Sequence, residues 1–313
     1  IHQRFGNAFN TRINPNFYKY VEGDKLMGIY AVSGDLKILG NGLIELYRNF
    51  GEDLSKDGQM IAASMDAMGV IFDEEAILGV MKGDFMIAFT GVRELEVQYT
   101  DYQYDGDIYL GPVTKTRKEN SATYVMTLTI GNKENFDKFL KLFTTFGGLV
   151  MQNGYYEIKD AGKVQNYFTI DKDILVVSND LELIKQAANP KLKKPVEARI
   201  QKLTQDNPML VYVNPQNVVD AILANSKNIS AEERKELLET KKDIGEFQMV
   251  GPSLREKTFF SEGILQVNDK KNNSLAVLVR FFNRFVKDRS SNFENPEAVT
   301  EGGKKKKKKK KEH

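Results

Sequence analysis

The chain has 313 residues, 41% of them hydrophobic and 28% charged, which suits two ordinary soluble domains and neither a membrane bundle nor wholesale disorder. It contains no Cys and no Trp, and its two histidines, His2 and His313, lie at the chain ends, so residue count excludes thiol nucleophiles, Cys-ligated zinc, Ser-His-Asp triads and HExxH zinc sites. The net charge of +2 is the sum of eight lysines at 304–311 and a body, residues 1–303, of about −5; no nucleic-acid partner is expected for the folded body.

The first residue is Ile1, with no charged n-region leading into an apolar h-region, and this reads as a processed or trimmed chain. A strand is expected near 26–32, then helices over 36–50, 56–70 and 73–81, with Asp73 as the cap of the third. Strands follow near 84–90, 93–104, 107–115 and 122–130. In the last, Val125, Thr127 and Thr129 alternate with the bulkier Tyr124, Met126, Leu128 and Ile130, the pattern of a half-buried strand. Phe136, Phe139, Leu140 and Phe143 recur at helical spacing, so 133–146 is a helix whose apolar stripe must pack on a sheet. The longest uncharged stretch, 142–156, is too short and too polar to span a membrane.

Residues 154–178 read as a three-stranded meander with turns at 160–162 and 171–173. Asn179 or Asp180 then caps a short helix that Asn189-Pro190 ends. The lysine-rich stretch Pro190–Pro195 reads as an exposed connector. A strand at 209–213 precedes helices near 216–224 and after Ser230, where Glu233 three residues on completes a capping box. Strands near 246–250, 257–267 and 274–282 close the fold.

Two segments repeat in order. Asp24, Met27 and Tyr30 match Asp206, Met209 and Tyr212, and Gly83, Phe85, Arg93 and Glu94 match Gly245, Phe247, Arg255 and Glu256. The expected fold is therefore α+β: a duplicated unit with mostly antiparallel sheets and packed helices, plus a local parallel crossover after each first strand. Residues 1–150 form the first unit, 151–288 the second, and 289–313 a disordered Lys-rich tail that can contact anionic surfaces.

No cofactor is indicated. Gly40-Asn-Gly42 lacks the third glycine of a dinucleotide loop, and no GK[ST] is present to cradle phosphate. Met60, Met65, Met68, Met81 and Met86 read as core filling rather than copper ligands. Arg93-Glu94 and Arg255-Glu256 read as edge charges, because neighbours on a strand face opposite ways. The chemically richest segment is 97–112, where Asp101, Gln103, Asp105 and Gly106 follow calcium-loop spacing but Pro112 stands where the bidentate carboxylate belongs. A hairpin turning at Asp105-Gly106 accounts for it better. Its residues Tyr99, Tyr102, Tyr104 and Tyr109, with Asp101, Asp105 and Asp107, form the candidate ligand-binding surface, and no metal site is assigned. Calcium at Asp101, Asp105 and Asp107 remains an alternative.

The paired segments GDFMIAF and GEFQMV, the run DKDILVVSNDLELIKQA and the stretch DNPMLVYVNPQNVVDAI resemble the uncharacterised exported proteins of Bacteroidetes grouped as domain of unknown function 4836, over about residues 20–288. The resemblance implies no catalytic residues. It implies export to the periplasm or cell surface as a lipoprotein, anchored through a segment missing from this chain. The function expected is a non-catalytic binding or scaffolding module of the cell envelope, with a glycan or an envelope protein as partner. The alternative is a carboxylate-dependent hydrolase acting on glycans, which needs two acids across a cleft.

Overall fold

A computed structural model describes residues 8–9, 12–36, 38, 79–106, 108–159, 164–225, 229–255, 258–281 and 283. The helices expected over 36–50, 56–70 and 73–81, the Gly40–Gly42 pair, Met60, Met65, Met68, the Asp73 cap and the Lys-rich tail lie outside the described residues or almost wholly so.

Among the described residues the architecture is mixed α+β around one large antiparallel sheet of ten strands. In chain order these are β1 (Gly28–Ser33), β2 (Met81–Asp105), β3 (Ile108–Ile130), β4 (Leu149–Met151), β5 (Tyr156–Ile158), β6 (Asn166–Asp171), β7 (Ile174–Ser178), β8 (Met209–Val213), β9 (Ile244–Arg255) and β10 (Thr258–Val267). Their spatial order is β10-β9-β8-β1-β2-β3-β7-β6-β5-β4, and every pairing is antiparallel. Several sheets and a parallel crossover were expected; instead β1 and β8 join edge to edge, Tyr30 opposite Val211, and fuse everything into one sheet. Among the described residues the α-helices include α1 (Lys133–Thr145), α2 (Leu181–Gln186), α3 (Ala198–Asp206), α4 (Pro215–Asn225) and α5 (Ala231–Asp243).

Local chemistry explains most boundaries. Asn132, Asp180 and Ser230 cap α1, α2 and α5, and the box at α5 is complete: Glu233 N–H donates to Ser230 Oγ at 3.1 Å and Ser230 N–H to Glu233 Oε2 at 2.8 Å. The stripe of α1 faces Leu149, Ile158, Phe168, Leu175 and Val177 of the sheet across an apolar pocket of about 390 Å³. The strands expected at 84–90 and 93–104 are one strand, as are those at 107–115 and 122–130. The stretch 274–281 is helical, not extended, with Asn273 Oδ1 accepting the Leu275 N–H at 2.8 Å.

One sheet face carries Ile29, Ala31, Met86, Ala88, Val125, Leu210 and Tyr212. Against it pack a buried 3-10 helix, Pro15–Tyr20, and side chains of α2 and α3, among them Ile184 and Ile200. Asn14 caps the 3-10 helix by accepting the Asn16 N–H, and its amide donates to Thr129 Oγ1 at 3.1 Å. Tyr18 bonds Thr204 of α3 and Tyr20 donates to Asp171 Oδ2 at 2.7 Å. Burial pushes the Tyr18 hydroxyl up to about 12. On β3 the smaller residues Val125, Thr127 and Thr129 are the more deeply buried, because the N-terminal segment lies flush on their face. Tyr30 and Tyr212, matched in the sequence, point to opposite faces: Tyr30 is 41% exposed and Tyr212 is buried.

Under the same segment lies Asp84, whose Oδ2 accepts from Thr129 Oγ1 at 2.8 Å and from Asn14 N–H at 3.1 Å, while its buried Oδ1 has no partner among the described residues. Desolvation raises its carboxyl above the ordinary range, against the pull of those hydrogen bonds and of Lys82. A raised folded-state pKa means that the fold binds the proton more tightly than the unfolded chain. Its contribution is therefore full below about pH 3.9, the unfolded value, and is lost as pH rises through the folded value. Asp84→Asn keeps an acceptor for both donors, so it should raise the melting temperature at neutral pH and have little effect at acid pH. A variant less stable than the parent at pH 7 would contradict this.

Candidate functional site

The feature that sets this fold apart is the β2–β3 hairpin. β1 covers β2 over Asp84–Phe89, and β7 covers β3 over Val125–Thr129. Beyond Gly91 and Thr123 the two strands pair with each other to the turn, as an arm of roughly 45 Å. Two-stranded ribbons are marginal alone, so the arm depends on its base. There Arg93 donates to Asn179 O and pairs with Asp180 Oδ1 at 3.2 Å, and Asn120 Nδ2 donates to Asn225 O of α4. Arg93 thus ties the arm to the start of α2 rather than decorating an edge; Glu94, on the next position, pairs with Lys118 at 3.0 Å.

The expected hairpin is present, displaced by one residue. Asp105 pairs with Ile108, so the turn follows Asp105, and Gly106 takes the positive φ of 60°. An extra residue, Leu110, interrupts the register between Gln103 and Tyr104, next to Gly111 at φ 118°. Tyr102 and Tyr109 share one face at the tip, their ring centroids 6.2 Å apart, and both are more than half exposed together with Ile108 and Leu110. Tyr104 occupies the register position opposite Tyr109.

Tyr99 and Asp101 fall on the other face. The Arg117 guanidinium lies 4.9 Å from the Tyr99 ring centre, and Lys115 Nζ is 2.5 Å from Asp101 Oδ2, which holds the Asp101 carboxyl below its usual range. The seven candidate residues are thus not one cluster. Asp101 is neutralised by Lys115, the side chain of Asp105 and all of Asp107 lie outside the described residues, and those described contain no group of three or more metal-ligating side chains.

A second concavity went unread in the sequence: a polar cleft of about 640 Å³ at the base of the arm. It gathers Tyr20, the Thr90-Gly91 bulge, Arg93, the start of α2, the 190–192 connector and α4. Asn217 of α4 closes it by donating to Leu26 O at 2.8 Å. Among the described residues five carboxylates line it, and four are held in structural bonds. Glu22 accepts from the N–H groups of Lys193 and Lys194 at 3.0 and 2.6 Å, Asp180 caps α2 and pairs with Arg93, Glu182 pairs with Lys185 at 3.0 Å, and Asp220 pairs with Lys241. Arg93 was visible as a repeated residue, but its partners stand 86 or more positions away and leave no local pattern.

No family model, curated protein or solved structure shows significant similarity to this chain.

Proposed function

We propose that this chain is a non-catalytic binding or scaffolding module of the cell envelope, in which the β2–β3 arm makes the contact. The observation that carries the reading is the arm itself: a long ribbon, anchored at its base, that displays Tyr102, Ile108, Tyr109 and Leu110 to solvent at its tip. Exposed apolar and tyrosine side chains concentrated at the end of a projection mark a recognition surface. Hydrolysis is disfavoured because the cleft's carboxylates cap, pair and clamp, and are not held as a free acid pair. Export to the envelope rests on the family resemblance, with a glycan or an envelope protein as the partner class. Among the described residues no helix is long and apolar enough to cross a membrane.

The same reading takes the chain as two copies of one unit. In each, a short strand (β1, β8) pairs antiparallel with the first strand of a hairpin (β2–β3, β9–β10), and the matched phenylalanines face matched leucines, Phe85 opposite Leu128 and Phe247 opposite Leu265. In both, the first hairpin strand carries one extra residue just before the position six past that phenylalanine, Gly91 or Ser253. The first strands correspond with Ala31, not Tyr30, at the place of Tyr212, which restores the shared buried face.

Changing Tyr102 and Tyr104 together to alanine tests the contact. With insoluble envelope glycan and a detergent-solubilised envelope fraction as separate probes, the double variant should keep its melting temperature and lose about tenfold or more in retention on the probe that binds the parent chain. Unchanged retention would reject the tip as the site, and turnover of the glycan would reject the non-catalytic reading.

A further inference from the structure

We propose that β10 is a dimerisation edge: its outer side pairs antiparallel with β10 of a second copy of this chain. The inference rests on the duplication proposed above. In the first unit the outer side of the hairpin is itself occupied, since Val125–Thr129 of β3 take up β7. The Phe85–Leu128 and Phe247–Leu265 pairs align that stretch with Glu262–Gln266 of β10, where the sheet ends; among the described residues no strand lies beyond it. The face differs as well: Val125, Thr127 and Thr129 are buried under the N-terminal segment, whereas their counterparts Glu262, Ile264 and Gln266 are exposed, Ile264 at 44%.

An open edge offers a row of backbone donors and acceptors, and monomeric proteins blunt such edges with lysine, proline, bulges or shortness; the β9–β10 register shifts between Phe260 and Glu262 and between Leu265 and Val267, so the regular stretch of the edge is Glu262–Leu265. β10 has ten residues, no proline and no lysine, and Glu262 is its one charge. A second copy is the occupant that this chemistry fits, because an antiparallel edge is complementary to itself about a two-fold axis. With Ile264 of each copy opposite the other, Glu262 meets Gln266 instead of its own like charge, and the all-antiparallel order of the sheet continues. The helical segment that follows β10 adds apolar surface, with Leu275 and Val279 exposed one turn apart. Pairing uses up β10 in both copies, so association stops at two.

The chain has no cysteine, which gives a clean test. The full chain should sediment as a dimer, and Ile264→Cys should cross-link covalently under mild oxidation because facing strand positions lie within disulfide reach. Met151→Cys, on the opposite edge strand β4, should not. Ile264→Lys should weaken association by about tenfold or more with an unchanged circular dichroism spectrum. A monomeric parent chain, equal cross-linking of both cysteine variants, or an Ile264→Lys variant that still dimerises would overturn the proposal. Hydrogen exchange separates the two readings: a monomer with protected amides over 244–267 defeats the dimer alone, whereas unprotected amides there count against the duplicated hairpin.

Discussion

Phe17→Ala is expected to lower the unfolding free energy by about 3–5 kcal/mol, read as a lower denaturant midpoint at unchanged slope. Phe17 is fully buried in the 3-10 helix, beside Tyr20 and Val21, on the sheet face formed by β1, β2 and β8. The segment is held at both ends, by Asn14 on Thr129 and by Tyr20 on Asp171, so it cannot easily settle into the space that a lost ring leaves. Incomplete collapse is what makes a cavity expensive. Phe146, 79% exposed after α1, is the control, and Phe146→Ala should stay within about 0.5 kcal/mol of the parent. A Phe17→Ala loss no larger than that of the control would remove the N-terminal segment from the core.

Gly83→Ala should be nearly as damaging, at roughly 2–4 kcal/mol, and worse than Gly245→Ala. Gly83 has φ 104°, and a Cβ there would sit 1.9 Å from the carbonyl oxygen of Gly34, which cannot swing away because Gly34 N–H is bonded to Gly83 O at 3.0 Å. Gly245 lies outside the positive-φ region. Its added Cβ would approach Asn268 Oδ1 and Gln266 Cβ at 2.8 Å; the Asn268 amide can rotate, and Gln266 Cβ must shift with its strand by a few tenths of an ångström, a smaller adjustment than relieving a 1.9 Å contact at positive φ. Thermal melts of the two variants decide the matter; equal losses would mean that the backbone at Gly83 is not the constraint.

Much of the fold was legible wherever one residue acts on its neighbours. The capping box at Ser230, the cap at Asp180, the stripe of α1 and the strands β5 to β7 all follow from spacings of two to four residues. The failures have common causes. The outer arm segment Thr116–Ser121 buries neither face, so it has no apolar alternation to announce a strand; pairing with β2 alone keeps it extended. Residues 274–281 form a short apolar run whose period does not separate helix from strand, and the cap at Asn273 was the available clue. The 3-10 helix at Pro15–Tyr20 and the helix α3 owe their places to packing across the sheet.

The candidate site divides in the same way. By itself the sequence determined what chemistry is missing, since no cysteine and no internal histidine are there to be used, and it located the tyrosines on a hairpin and the positive charge in a terminal run. Only the tertiary structure decided that Tyr102 and Tyr109 meet at an exposed tip while Tyr99 and Asp101 turn to the other face. It also decided that Arg93 anchors the arm, that β1 and β8 pair to make one sheet, and that β10 ends that sheet among the described residues. Residue identity and short spacing act through local bonds and are written along the chain. Register, face and edge depend on contacts between segments many residues apart, and no local pattern encodes them.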